Sequence, residues 1–216
     1  MNRALVLAGG GARGSYQVGM LEELIVNQRK DFQTIRGVSV GALNAAFLAQ
    51  APSKPDSLEA LVKQVGELKR LWAQEIKGDK SVYTKRCGGL VGMAAGADSL
   101  YCLDPLKSLI DKHISLQALR TSGRNFAVGT VSLVSGLYGE SNPLKDDLFI
   151  QKLVASASIP VVFPFVNMKE KKDVLVDGGV RNITPLSSVF KAIPPVTEIY
   201  VLLTSRIIRS GNELPD

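Results

Sequence analysis

A single histidine, His113, stands among the 216 residues, and that scarcity removes most of the acid–base chemistry that depends on imidazole. A Ser-His-Asp triad would have to use this one residue. Yet it sits near the end of a charged helical stretch, where a histidine more commonly balances a helix terminus than catalyses. Cys87 and Cys102 are the only cysteines. Two are too few for a disulfide framework, and without CxxC spacing or histidine neighbours they make no zinc site. Free thiols in a reducing cytoplasm are expected, with no bound metal and no cofactor. Aromatic residues amount to 6%, and no basic stripe interleaves with them, which argues against nucleic acid as a partner. At the amino end only five apolar residues, Ala4 to Ala8, precede three glycines. That is far short of the ~20 needed to cross a bilayer and too short for a signal-peptide core. No long Gly/Ser or low-complexity tract is present, so disorder is expected at the ends at most.

What is present suits one globular domain. A chain of this length with 45% hydrophobic and 21% charged residues can bury one substantial core. Its formal charge of +6 is a mild bias towards anionic surfaces such as phospholipid headgroups. Strands are expected at Ala4–Ala8, Thr34–Val38, Phe126–Val134, Asp173–Val176 and Glu198–Thr204. Helices are expected at Ser15–Asn27, Ala42–Gln50, Asp56–Ile76, Asp104–His113, Asp147–Ala157 and Thr184–Ile193. The third helix carries a stripe from Leu58 to Ile76, read as ordinary core packing, with Asp56 and Glu59 as a capping box. Residues 77–100 have scattered glycines and little periodicity, as expected of a surface excursion that could serve as a lid. Strands separated by helices predict a mainly parallel sheet covered on both faces.

Three segments carry chemistry. Gly37-Val38-Ser39-Val40-Gly41 is a GxSxG between a strand and a helix. There the glycines relieve a sharp bend and leave Ser39 exposed at a helix N-terminus, placed as a nucleophile. Gly9-Gly10-Gly11-Ala12-Arg13-Gly14 also joins a strand to a helix, and its backbone N–H groups can converge on a developing oxyanion. Arg13 could hold that loop or bind an anion. The same residues satisfy GxGxxG at Gly9, Gly11 and Gly14, so a dinucleotide site is a rival. That rival expects an acid at the end of the second strand, where Ser39 stands instead, while the nearest acid, Asp31, precedes the strand. A P-loop is excluded because no lysine follows Gly14. The third segment ends a short apolar strand with Asp177-Gly178-Gly179. Alone, Asp-Gly reads as a turn. With histidine so scarce, a carboxylate acting directly as general base for Ser39 is the economical alternative.

Together, and in this order, the three segments resemble the patatin-like phospholipases, matching a GGGxRG motif at Gly9–Gly14, the nucleophile motif at Gly37–Gly41 and a DGG motif at Asp177–Gly179. The run from Ala155 to Pro164 also resembles the family's segment before its catalytic aspartate. The resemblance spans residues 3–206 as one domain, and it leaves 207–216 as a tail or a truncated extension. It implies a three-layer α/β/α sandwich and a metal-free Ser39–Asp177 dyad that hydrolyses acyl esters of lipids or lysophospholipids. It further implies that Ser39 attacks the carbonyl, Asp177 takes its proton and later activates water, and amides of Gly10, Gly11 and Ala12 hold the oxyanion. A cytoplasmic protein making transient contact with a membrane surface would fit these expectations. An acyltransferase on the same dyad is the nearer alternative, since an acyl-enzyme can be resolved by an alcohol or thiol. A GxGxxG nucleotide-binding protein is the more distant one.

Overall fold

Each of the first two chain segments rises through a largely buried strand, turns on glycines and returns as a helix. A computed structural model describes residues 2–86 and 99–205. Cys87, half of the expected lid and the 207–216 tail therefore lie outside the described residues. The elements run β1 (Arg3–Leu7), α1 (Gly14–Leu21, continued by a wider π-helical turn over Glu22–Asn27), β2 (Thr34–Gly37), α2 (Val40–Ala49) and α3 (Ser57–Arg70, continued likewise over Leu71–Glu75). A two-stranded ribbon of β3 (Thr84–Lys85) and β4 (Tyr101–Cys102) follows. Then come α4 (Asp104–His113), α5 (Leu116–Thr121), β5 (Asn125–Ser132), β6 (Tyr138–Ser141), α6 (Phe149–Ser156), β7 (Val166–Met168), β8 (Asp173–Asp177) and β9 (Glu198–Leu202).

Seven of these strands form one mixed sheet, in which β5, β2, β1 and β9 are parallel neighbours. Alternation along β1 separates the two faces. Leu5 and Leu7 join the main core with Ile35, Phe126 and Val128, under Leu21, Leu48, Leu61 and Phe149 of the helices. Ala4 and Val6 point the other way, to a smaller cluster with Val189, Leu186 and Ile199. The result is a three-layer α/β/α arrangement whose second face is covered by the chain between β8 and β9.

That cover departs from the expected helix at Thr184–Ile193. Only a short 3-10 turn forms, over Val189–Lys191. Pro185, Pro194 and Pro195 bracket a segment too short to propagate a helix between them. Ser188 instead accepts a hydrogen bond from Arg36 Nε at 2.9 Å, which fastens this layer to β2. The expected capping box is also absent, because Asp56 makes no side-chain cap and Glu59 pairs with Arg29. The helix beginning near Asp104 has Leu103, not Asp104, as its cap residue, and Asp104 accepts from Cys102 Sγ.

The most consequential difference lies in strand direction. Both β6 and β8 run antiparallel to β5, and neither pairing was anticipated. Val128 of β5 is paired with Gly37 of β2 and Ser141 of β6, whereas Thr130 is paired with Gly139 of β6 and Asp177 of β8. A strand has two edges, so β6 occupies one while β2 and β8 follow one another along the other. Their carboxyl ends meet head to head, separated by two residues of β5, about 7 Å.

Behind this junction, Arg124 ties together the ends of several elements that lie away from Ser39. Its side chain is fully buried and its guanidinium donates to the carbonyls of Ala51 (2.7 Å), Phe32 and Pro52, to Ser57 Oγ and to Asp31. Replacing Arg124 with alanine would strand those buried acceptors. We expect a loss of about 3 kcal/mol or more in unfolding free energy, measured by urea denaturation, with the larger share recovered by no single neighbouring substitution.

Candidate active site

Ser39 occupies the turn between β2 and α2 with φ 56° and ψ −134°, a left-handed conformation that costs a non-glycine residue on the order of 1–3 kcal/mol. The bend is possible because of its two glycines. A β-carbon on Gly37 would lie 2.5 Å from the carbonyl oxygen of Gly41, and one on Gly41 would collide with the carbonyl of Leu7. The Ser39 N–H donates to Ser156 Oγ at 3.1 Å, and that hydroxyl donates to the Gly129 carbonyl of β5 at 2.7 Å. Ser39 also opens α2, its carbonyl accepting from the Ala42 amide at 2.9 Å, so its side chain stands in the positive field of a helix N-terminus.

Asp177 closes β8 from the opposite direction. It is 3% exposed. Its Oδ1 accepts the Gly179 N–H at 2.7 Å, and its own N–H donates to the Ser158 carbonyl at 2.9 Å. The Ser39 side chain is near enough to favour its charged form. Burial pushes the Asp177 carboxyl above its ordinary pKa, while the bonds from Ser39 and Gly179 pull it part of the way back. Gly178 brings the chain against β5, since a β-carbon there would lie 2.5 Å from the Gly129 oxygen.

The glycine-rich loop after β1 is divided by its hydrogen bonds. The Gly9 amide is spent on the Ile183 carbonyl at 2.9 Å, so Gly9 contributes close approach to Ser39, whose β-carbon would be 3.1 Å from one built on Gly9. Gly11 has φ 57° and starts a 3-10 turn over Gly11–Arg13. Among the described residues the amides of Gly10, Gly11 and Ala12 have no hydrogen-bond acceptor, and Gly11 and Ala12 share the cavity wall with Ser39. The Gly14 carbonyl accepts from Asn44 Nδ2 at 3.0 Å, and Arg13 is exposed.

From Ser39 a cavity of about 820 Å³ runs into the helical layer. Gly11, Ala12 and Ser39 stand on its wall with Phe47, Leu68, Trp72, Leu106, Ile110 and Phe163. The Trp72 Nε1 donates to Asn44 Oδ1 at 2.9 Å, so its polar edge is satisfied and its ring is left to the wall. These lining residues were not anticipated. The stripe on the third helix was read as core, which holds for Leu61, Val65 and Leu68, but Leu71, Trp72 and Ile76 beyond them are half-buried and line the cavity. The overrun of the stripe past the helix end, carrying the chain's only tryptophan, was the available signal. His113 stands in the last turn of α4, as expected, with its Nε2 3.1 Å from Glu75 Oε2. It lines the same cavity but is partnered by Glu75, not by the Ser39–Asp177 pair.

The chain matches the patatin-like phospholipase family over residues 5–190. Among solved structures it is similar to VipD from Legionella pneumophila at 15% identity and a TM-score of 0.46, over 83% of this chain and 46% of that one. It thus spans about half the length of that structure. No curated protein sequence matches it.

A buried carboxyl with a raised pKa binds its proton more tightly in the folded than in the unfolded chain. Its contribution to stability is therefore full below the unfolded value, near ~3.9, and is lost as pH rises through the folded value. Asp177→Asn keeps the oxygen that accepts from Gly179 and removes the ionisation. We expect the variant to melt progressively higher than the wild type as pH rises from about 4 towards neutrality, followed by differential scanning fluorimetry. A Tm difference that stays constant over that range would contradict the assignment.

Proposed function

This chain belongs to the patatin-like phospholipase family, and from that premise we propose that it is a serine lipid acyl hydrolase using Ser39 as nucleophile and Asp177 as general base. The observation that carries the proposal is the Ser39 hydroxyl beside a buried carboxylate at the wall of a large apolar cavity. Asp177 takes the hydroxyl proton as Ser39 Oγ attacks an ester carbonyl. The negative charge that develops on the carbonyl oxygen is held by the amides of Gly10, Gly11 and Ala12, fixed in place before the reaction begins. As the tetrahedral intermediate collapses, Asp177 returns the proton to the departing alcohol, leaving the acyl group on Ser39. Water then delivers a proton to Asp177 and a hydroxide to the acyl carbon, and the same steps in reverse release the fatty acid. A carboxylate can serve as the base here because burial has raised its proton affinity towards that of a working general base.

The cavity's size lies within the range of about 300–1,000 Å³ usual for small-molecule sites, and its lining suits an acyl chain. The lining is mostly apolar, which suits a dinucleotide, with its ribose and phosphates to keep hydrated, less well than an acyl chain. The substrate is accordingly a carboxylic ester of a lipid or lysophospholipid, met at a membrane surface. An acyltransferase would share every step up to the acyl-enzyme and differ only in the acceptor.

A fluorophosphonate probe should label the wild type at Ser39 and leave Ser39→Ala unlabelled. Asp177→Asn should label and hydrolyse about 10²–10⁴-fold more slowly; near-normal hydrolysis by that variant would sink the dyad. Because activity needs ionised Asp177, kcat/KM should fall as pH drops through a limb above the usual aspartate value of ~3.9. Release of free fatty acid against transfer to added alcohols separates hydrolase from transferase.

With a series of p-nitrophenyl esters, each added methylene should raise kcat/KM by up to about fourfold, the equivalent of ~0.8 kcal/mol, until the cavity is full. Trp72→Ala should flatten that slope, which a chain-length profile would reveal.

A further inference from the structure

The end of α6 and the residues just after it touch both halves of the pair, through two serines of equal burial and different partners. Ser156 and Ser158 are each 0% exposed. Ser158 turns its hydroxyl back on its own helix, donating to the Val154 carbonyl at 3.0 Å. Ser156 turns outward. It accepts the Ser39 N–H at 3.1 Å and donates to the Gly129 carbonyl at 2.7 Å, so one hydroxyl bridges the nucleophile's backbone to β5. It does so where the edge of β5 passes from β2 to β8.

We propose that Ser156 is a positioning residue for the nucleophile, its hydroxyl holding the strained Ser39 backbone at the one distance from β5 that brings Ser39 Oγ to Asp177. The proposal rests on reading Ser39 as the nucleophile. Two features make the bridge specific. Ser39 adopts a backbone conformation that relaxes unless its surroundings determine it, and its N–H has this one recorded acceptor among the described residues. Ser156 also takes no part in the wall of the acyl cavity, although its neighbour Ala157 does. Loss of the bridge should therefore change the rate of acylation and not the binding of the acyl chain.

The test compares fluorophosphonate inactivation and p-nitrophenyl ester turnover in wild type, Ser156→Ala, Ser156→Cys and Ser158→Ala. Displacing a reacting group by about 1 Å costs on the order of 10²-fold in rate. Ser156→Ala should lower kcat and the inactivation rate by about that factor, with KM within about twofold. Ser156→Cys keeps the volume but replaces a strong hydrogen-bonding oxygen with a weak sulfur. It should be slowed at least tenfold, by the same reasoning, and it supplies the comparison if the alanine variant does not fold. Ser158→Ala removes only the hydroxyl bonded to Val154 and keeps the backbone carbonyl that accepts from Asp177, so it should retain wild-type kcat despite losing a buried hydroxyl. Equal losses of kcat in the Ser156 and Ser158 variants would assign both to structure alone and overturn the proposal, as would a wild-type rate in Ser156→Cys. An unlabelled wild type would overturn the reading of Ser39 itself, whereas a labelled wild type with unimpaired Ser156 variants would overturn only the positioning role.

Discussion

Everything about the site depends on the shared edge of β5. A parallel strand and an antiparallel strand cannot lie side by side along the same edge at the same height, so β2 stops where β8 begins, and the two chain ends are driven towards each other. Gly129 marks the crossing. Its carbonyl takes the Ser156 hydroxyl, and the backbone of Gly178 lies against it so closely that no side chain fits between. Ser39 and Asp177 are distant in sequence yet meet because hydrogen-bond register leaves no other place for their strands to end. Loops of that reach would not hold two side chains in contact with comparable accuracy, whereas strand ends inherit the rigidity of the sheet.

The junction is costly to fold. A serine in left-handed backbone and an ionisable carboxyl buried away from water both oppose stability, and both sit where the sheet has lost a ladder rung. The surrounding structure offsets these costs with connections that converge from several elements. Arg124 gathers the carbonyls of Ala51, Phe32 and Pro52 at the far ends of the same strands and helices. Arg36 joins β2 to β5 through the Asn125 carbonyl at 2.7 Å and to the outer layer through Ser188. These buried arginines lie behind the site, on the side where rigidity does not interfere with chemistry. Strain is concentrated at the reacting end and its compensation at the other, which is the distribution expected where activity and stability compete.

This division also explains what could be read from the amino-acid order. The strand–glycine–helix units at Gly9–Gly14 and Gly37–Gly41 are local, their turns being made by residues within a few positions, and the elements on either side were legible. Asp177 could be marked as a strand-end acid beside glycines, but not the direction of β8, because antiparallel pairing with β5 is written in register between distant segments. The β6 strand was missed for the same reason. The segment from Thr184 to Ile193 looked helical from its proline start, and it is not, because the hydrogen bond that decides its shape comes from Arg36 across the sheet. Ser156 lay within a run already marked by its resemblance, yet nothing in the run distinguishes it from Ser158. Only the partner of each hydroxyl does.

The same argument applies to the cavity, and it bears on how the reaction would proceed. Leu61, Val65 and Leu68 of α3 pack the core, and the continuation of one uninterrupted stripe lines the space where more core would be. An apolar stripe carries the same pattern whether it meets other side chains or an acyl chain, since the hydrophobic effect does not distinguish them. On the proposed reading, an acyl group attached to Ser39 completes this layer as a set of core residues would. Apolar stretches of such a wall offer water no hydrogen bonds, so on the proposed reading the water that resolves an acyl-enzyme would arrive from the side of the glycine-rich loop and Asp177. On that reading the acceptor that reaches this face first would determine the product, and hydrolysis or transfer would be decided at the mouth of the site and not along the apolar wall.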